Sequence, residues 1–424
     1  MESRVPTFEE VIPGHDLRDY QKGAVSRALC ILRDHGRVLL HAPTGSGKTR
    51  MAMSVVSMHM RERGPTMVLW LAPTGELVEQ AADAFRQAWS YHGDVVAAVY
   101  QWRGYGEAFS HGMTFKRNTM LVARLTMAVL SADSNPKVLD TLRGKASLVV
   151  FDEAHQSVAP TYRDLVERVL SNDSHDGQLL GLSATPGRTI REETKALAEM
   201  YGERKVGISP GENPIRFLVS KGYLAKAHFR YREIEGTPAP PTRGGGQDYS
   251  EDTLRELGGD DARNRTIAQM VKQLFDDGHK RVIAFTPSVE SAQHCAQEMQ
   301  WAGYKYAHSV YSGMRQESRE HFLNTFRSPT SAIDLPQVLF NCRVLTAGVD
   351  IPQTSAVVIG KPTKSAVLLQ QMIGRALRGP ESGGNTDAEI YMLVDDSYKE
   401  YASLAAMFEE WDNLWDPDPS VLSD

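Results

Sequence analysis

The sequence predicts an α/β protein with two halves, each a mostly parallel sheet with helices on both faces. Three observations lead to this prediction. The chain has 424 residues, enough for two or three domains. Short apolar runs, typical of parallel strands covered on both faces, alternate with amphipathic stretches. This alternation stops at residues 236–247, which are rich in proline and glycine, and then resumes.

The first half alternates candidate strands with candidate helices, as expected of repeated βαβ units. The strands are predicted at Val38–His41, Met67–Leu71, Val95–Tyr100, Ser147–Phe151 and Leu179–Leu182. The helices are predicted at Thr49–Arg61, Gly75–Trp89 and Tyr162–Leu170.

The second half repeats the pattern. Its strands are predicted at Arg281–Phe285, Lys305–Val310, Gln337–Phe340, Ala356–Ile359 and Glu389–Val394, and its helices at Ser288–Trp301, Gln316–Phe326 and Ser365–Leu377. We therefore expect a first domain at residues 1–205, a linker or insert at 206–262, and a second domain at 263–398. Residues 399–424 are expected to be an acidic tail, for which a solvated end is favoured over a regulatory or partner-binding segment.

The composition excludes several classes of protein. A 41% hydrophobic and 24% charged content is ordinary for a globular protein, and no apolar run approaches the length of a membrane span. The N-terminal residues do not resemble a signal peptide. Three widely spaced cysteines, Cys30, Cys295 and Cys342, exclude a disulfide scaffold and a Cys-x-x-Cys zinc site. We expect a cytoplasmic protein without a membrane segment or a structural metal.

The strongest local signal is a glycine-bearing loop between a predicted strand and a predicted helix. Ala42–Thr49 fits the phosphate-loop pattern G-x-x-x-x-G-K-[ST], with alanine in the first position. Its nucleotide-binding candidates are Thr44, Gly45, Ser46, Gly47, Lys48 and Thr49. Backbone N–H groups of such a loop surround phosphate oxygens, the lysine reaches the β- and γ-phosphates, and the threonine ligates Mg²⁺. The strand before and the helix after disfavour a chance glycine-rich turn.

Two carboxylates end another predicted strand, in Asp152-Glu153-Ala154-His155. ATP hydrolysis needs Mg²⁺ near the γ-phosphate and a water molecule that is oriented and deprotonated. Asp152 suits the metal, Glu153 suits the base, and His155 suits a relay role. By itself such a pair is more often a helix cap with solvated charge, but after a phosphate loop we favour the catalytic interpretation.

With further motifs in the same order, these residues resemble those of superfamily 2 helicases of the DEAD/DEAH type. The resemblance is greatest to restriction-enzyme motor subunits and DNA-repair translocases. It implies two tandem RecA-like domains with the ATP site in the interdomain cleft. In the first domain it implies adenine contacts for Arg18 and Gln21. It also implies strand-phosphate contacts for Pro73, Thr74 and Gly75, and a coupling role for Ser183 and Thr185.

In the second domain the resemblance covers three more motifs. It implies that Thr346 contacts the nucleic-acid backbone, that Gly348 lies near the γ-phosphate, and that Asp350 accepts from the ribose. Gln371, Arg375 and Arg378 match Q-x-x-G-R-x-x-R, whose arginines would stabilise the transferring phosphoryl group. Because the two arginines are three residues apart, we expect them to share a helix face.

The function so implied is an ATP-dependent nucleic-acid helicase or translocase that uses Mg²⁺ and ATP. DNA is favoured over RNA by the resemblance alone. The alternative is a nucleotide-gated recruitment or remodelling subunit of a DNA-repair or phage-defence complex that does not separate strands. Protein partners are possible, and a monomer is the default expectation. A plain linker is favoured over a strand-separating loop for residues 236–247.

Overall fold

Two parallel sheets organise the part of the chain that the structure describes. The computed structural model describes residues 16–102, 117–134, 136–171, 177–184, 191–209, 211, 213–234, 248–328, 335–345, 351 and 353–395. The chain divides into two compact units, Met1–His41 with Gly47–Ile208, and Ala42–Ser46 with Ser209–Asp424.

The first unit is built on a sheet whose strands follow the order β3-β4-β2-β5-β6-β1-β7, all parallel. Its strands are β1 Arg37–His41, β2 Met67–Ala72, β3 Ala97–Trp102, β4 Asn118–Arg124, β5 Ala146–Phe151, β6 Gln178–Ser183 and β7 Lys205–Val206. Its helices are α1 Asp19–His35, α2 Lys48–Arg63, α3 Gly75–His92, α4 Leu125–Ser134, α5 Pro136–Lys145, α6 Pro160–Leu170 and α7 Arg191–Met200.

The central strands of this sheet are covered on both faces. Every residue of β2, β5 and β6 is buried, as the continuous apolar runs predict. Strands β2, β5, β6 and β1 are neighbours and run in the same direction, so their carboxyl ends meet at one edge of the sheet. The glycine loop, the two carboxylates and Ser183 all follow or end these strands.

The second unit has a sheet with the order β10-β11-β9-β12-β13-β8, again all parallel. Its strands are β8 Lys226–Ile234, β9 Arg281–Phe285, β10 Tyr306–Tyr311, β11 Gln337–Cys342, β12 Ala356–Ile359 and β13 Asp387–Asp395. Its helices are α8 Pro214–Ser220, α9 Glu251–Gly258, α10 Asp261–Asp276, α11 Val289–Trp301, α12 Gln316–Arg327 and α13 Ala366–Ile373. The two sheets confirm the predicted α/β class.

Residues 206–262, expected to be a linker or insert, contain α8, β8 and α9. Strand β8 pairs with β13 along its whole length and forms an edge of the second sheet. Its sequence, KAHFRYREI, carries four basic residues, counting His228, and edge strands commonly hold such charges. The glycine-rich residues 236–247 and the acidic tail lie outside the described residues. No helix in the described ranges is long and apolar enough to cross a bilayer.

Candidate nucleotide-binding site

The loop between β1 and α2 has the backbone that a phosphate cradle needs. Gly45 and Gly47 have φ angles of +86° and +82°, a left-handed region that glycine enters without steric cost. The buried Ser46 closes the turn, since its hydroxyl donates to the Pro43 carbonyl at 2.6 Å. Helix α2 begins at Lys48, so its free N–H groups and its positive dipole end lie beside the loop. This geometry suits an anion.

The lysine of the loop and the second carboxylate of the acidic motif come together. The Lys48 Nζ atom lies 3.7 Å from Glu153 Oε1, and both side chains are largely shielded from solvent, with 13% and 15% exposed. The Nδ1 atom of His155 lies 3.4 Å from Glu153 Oε2. Glu153 has φ +54°, which is uncommon outside glycine and is often found at functional turns. Three predicted catalytic side chains therefore share one small region.

Asp152 is buried at the end of β5, where its backbone N–H donates to the Leu71 carbonyl at 3.0 Å. Burial first, and then the neighbouring Glu153 carboxylate, raise the pKa of Asp152, whereas Lys48 lowers it. A buried carboxylate with too little compensating positive charge is the kind of ligand that a divalent cation satisfies. Thr49, in the first turn of α2, supplies a second hard oxygen donor.

Two oxygen donors suit Mg²⁺, which shares its coordination with a nucleotide and water, better than a metal ion that is ligated only by side chains. No cluster of three or more histidine, cysteine or acidic side chains that could hold a metal occurs among the described residues. Mg²⁺ commonly takes one or two protein oxygens and completes its shell with substrate phosphates and water. Thr49 and Asp152 provide two protein oxygens, as this coordination requires.

The predicted adenine-binding residues lie at the start of α1. Gln21 is buried, and its Oε1 atom accepts from the Arg18 backbone N–H at 3.0 Å. Its amide also lies against the glycine loop, because a Cβ added to Gly47 would overlap Gln21 Nε2. Gln21 is thus placed beside the loop, and its contact with adenine stays a prediction.

Strand β1 is tied to the end of β6 by a side chain that sequence reasoning missed. His41 pairs in register with Ser183, and its Nε2–H donates to the Ala184 carbonyl at 3.2 Å. Burial lowers the pKa of His41 to about 4, so the ring is neutral near pH 7. Ser183 is fully buried, and Thr185 lies outside the described residues. Only the position of His41 just before the glycine loop could have drawn attention to it.

The predicted strand-phosphate residues of the first unit lie where β2 turns into α3. Thr74 caps α3, and its hydroxyl accepts from the Leu77 N–H at 3.3 Å. Its exposed position leaves the hydroxyl open to solvent, with Pro73 and Gly75 on either side partly exposed. A contact with nucleic acid here stays a prediction.

The second unit corrects one expectation about the arginines. Helix α13 ends at Ile373, so Arg375 and Arg378 do not share a helix face. Arg375 lies in a tight turn, with its N–H donating to Met372, and Arg378 forms an antiparallel bridge with Leu224. The backbone of Arg378 pairs with that of Leu224 and cannot continue the helix. The i, i+3 spacing of the two arginines does not indicate this pairing. Gln371 lies on α13, whereas Thr346, Gly348 and Asp350 lie outside the described residues.

Two domain families match the chain. The family described as type III restriction enzyme, res subunit, matches residues 14–188, and the helicase conserved C-terminal domain matches residues 265–380. The chain belongs to the superfamily 2 helicases.

Its relatives include a phage protein and a restriction-enzyme subunit. It is 25% identical over 343 residues to a 51.5 kDa protein of Lactococcus phage (isolate 7-9), covering 80% of this chain and 62% of that one. It is 24% identical over 419 residues to the type I restriction enzyme EcoKI endonuclease subunit of Escherichia coli (strain K12), covering 89% and 34%. The chain thus spans less than two thirds of either relative.

A solved structure shares the fold. The ATP-dependent type ISP restriction-modification enzyme LlaBIII bound to DNA matches with a TM-score of 0.67 and 17% identity. The match covers 94% of this chain and 30% of that one.

Proposed function

We propose that the chain is an ATP-dependent helicase or translocase that couples Mg²⁺-ATP hydrolysis to movement along DNA. One observation carries this proposal: Lys48 and Glu153 lie within 3.7 Å of each other, beside a left-handed glycine loop and a buried Asp152. A phosphate cradle, a cation, a metal-type carboxylate and a base are the parts that phosphoryl transfer to water requires.

The side chains divide the work. The loop N–H groups and Lys48 hold the phosphates, and Lys48 exchanges its contact with Glu153 for a contact with phosphate when ATP binds. Glu153, released from Lys48, orients the attacking water and accepts its proton. His155 keeps the Glu153 carboxylate in place. Mg²⁺, held by Thr49 and Asp152, supplies charge neutralisation at the phosphates when bound.

The remaining residues are proposed from the family pattern. Arg18 and Gln21 read adenine, Ser183 and Thr185 couple nucleotide state to movement, and Gly348 and Asp350 contact the nucleotide. Contacts with the nucleic-acid strand are assigned to Pro73, Thr74, Gly75 and Thr346. Stabilisation of the charge that develops on the transferring phosphoryl group is assigned to Gln371, Arg375 and Arg378. Because such strand contacts read backbone, affinity should depend strongly on salt and weakly on sequence.

DNA is the proposed track because the relatives include a restriction-enzyme subunit, and a fold neighbour is a restriction-modification enzyme bound to DNA. One relative is a subunit of a restriction enzyme. We therefore propose that the chain works with protein partners, as a motor inside a larger assembly in the cytoplasm.

Two assays distinguish unwinding from translocation. ATP-dependent separation of a forked duplex reports unwinding, and displacement of a third strand from a triplex reports movement without strand separation. The proposal predicts activity in at least one assay with the wild type and in neither with Lys48→Ala. Hydrolysis without activity in either assay would instead favour a nucleotide-gated recruitment subunit.

A further inference from the structure

The second unit has a cleft whose described lining residues include none of the site residues assigned above. Its volume is about 350 Å³, which lies in the range of small-ligand sites. It is lined by Asp248, Tyr249, Glu251, Leu254, Arg343, Lys361 and Leu368. Arg343 directly follows β11, and Lys361 comes two residues after β12. These strands flank β9, so the cleft lies at the carboxyl edge of the sheet, where parallel sheets bind ligands.

Lys361 lies in the wall of this cleft. Among the described residues it makes no hydrogen bond and no ion pair within 4.0 Å. Burial lowers its pKa, even though Asp248 and other acidic groups nearby oppose that shift. A partly buried ammonium without a hydrogen-bonded partner is unfavourable. A negatively charged ligand entering the cleft would remove that cost.

Arg343 is held in a strained conformation beside it. Its φ of +68° is left-handed, which is uncommon for a residue other than glycine and often marks functional sites. Its Nη1 atom lies 2.8 Å from Glu251 Oε1, with 42% and 69% of the two side chains exposed. Because exposed ion pairs of this kind contribute little to stability, a phosphate group can displace the Glu251 carboxylate from Arg343 at little cost.

Tyr249 gives the cleft an aromatic wall of fixed position. The Lys364 Nζ atom lies 4.9 Å from the centroid of its ring. The neighbouring Asp248 accepts from the Thr363 hydroxyl at 3.0 Å and from the Lys364 backbone N–H at 2.9 Å. These bonds anchor the segment that carries Tyr249 and occupy both Asp248 oxygens. The Asp248 charge is therefore partly satisfied and opposes an incoming anion less.

We propose that this cleft binds one nucleotide of the strand that the motor follows, with its phosphate on Lys361 and Arg343 and its base against Tyr249. This proposal rests on the proposed function. Cationic side chains next to an aromatic ring are a common means of holding a single strand without sequence preference. Glu251 forms an ion pair with Arg343 while no nucleic-acid strand is bound, and a phosphate of the strand replaces Glu251 when the strand binds.

The test measures binding of fluorescent 20-nucleotide oligothymidine and oligouridine to the full chain by anisotropy, at several salt concentrations. Lys361→Gln should weaken binding at least about fivefold and make the slope of log K against log salt shallower by about 0.7, the value for one phosphate contact on a single strand. Tyr249→Ala should weaken binding at least about fivefold with the slope unchanged, and Tyr249→Phe should restore it. Glu251→Gln should bind more tightly than the wild type.

Lys272→Gln, at an exposed position on α10, is the matched control and should bind as the wild type does. If Lys361→Gln unfolds at a lower temperature, the exposed Arg343→Gln replaces it as the phosphate test. Wild-type binding in both Lys361→Gln and Tyr249→Ala would overturn the cleft while leaving the motor function intact. A wild type that hydrolyses ATP but binds neither oligonucleotide would overturn both proposals.

Discussion

Replacing Glu153 with glutamine separates ATP binding from ATP hydrolysis. The carboxylate lies 3.7 Å from the Lys48 ammonium and 3.4 Å from His155 Nδ1, with 15% of the side chain exposed. Glutamine has nearly the same shape, so the packing survives, but it cannot accept a proton from water. Loss of a positioned general base slows a reaction by about 10²–10⁴-fold. At about 1.36 kcal/mol per decade, the barrier rises by about 2.7–5.4 kcal/mol.

The affinity for ATP should not fall in this variant, because Lys48 loses a competitor for phosphate. Steady-state hydrolysis at saturating ATP and polymer gives the rate, and binding of a fluorescent ATP analogue gives the affinity. Glu79→Gln, at an exposed position on α3, is the control for loss of one carboxylate. Hydrolysis by Glu153→Gln within threefold of the wild type would refute the assignment of the base.

Three further outcomes are expected. Gly47→Ala should lower the unfolding temperature and weaken ATP binding, because the backbone at φ +82° costs alanine about 1–2 kcal/mol and the added Cβ would overlap Gln21. Gly207→Ala is the control and should change neither property, because a Cβ added at Gly207 meets no atom within 4 Å. Arg378→Ala should retain nucleotide binding and lose most hydrolysis; lost affinity with normal turnover would contradict its role. Burial lowers the pKa of His59 from 6.5 to about 4. The neutral ring therefore stabilises the fold fully above pH 6.5, and the free energy of unfolding falls by up to about 3 kcal/mol as the pH drops through 4. His59→Gln, unlike the exposed His35→Gln, should flatten that fall in pH-dependent denaturation.

Much of the fold was predictable because parallel strands that are covered on both faces appear in the sequence as continuous apolar runs. Arg281–Phe285 and Ala356–Ile359 are strands with the predicted bounds. Strand β8 was missed because its charged sequence contains no such run, and its strand state depends on pairing with β13. The predicted helix at residues 365–377 ends early, at Ile373, because the following backbone is used by the bridge between Arg378 and Leu224.

The candidate site was predictable in its residue types but not in its contacts. A strand, a glycine loop and a helix indicate phosphate binding from sequence alone. The approach of Lys48 to Glu153 depends on the order of β1, β6 and β5 in the sheet, which local sequence does not encode. The bond from His41 to Ala184 and the Lys361 cleft likewise join segments that are distant in sequence.

We propose above that a nucleic-acid strand controls ATP hydrolysis by this chain. The most direct measurement is steady-state hydrolysis without polymer and with single-stranded, duplex and forked DNA and RNA, using Lys48→Ala as the control. We expect hydrolysis that rises with DNA, rises less with RNA, and disappears in the control. Equal hydrolysis under every condition, or stimulation that persists in Lys48→Ala, would contradict it.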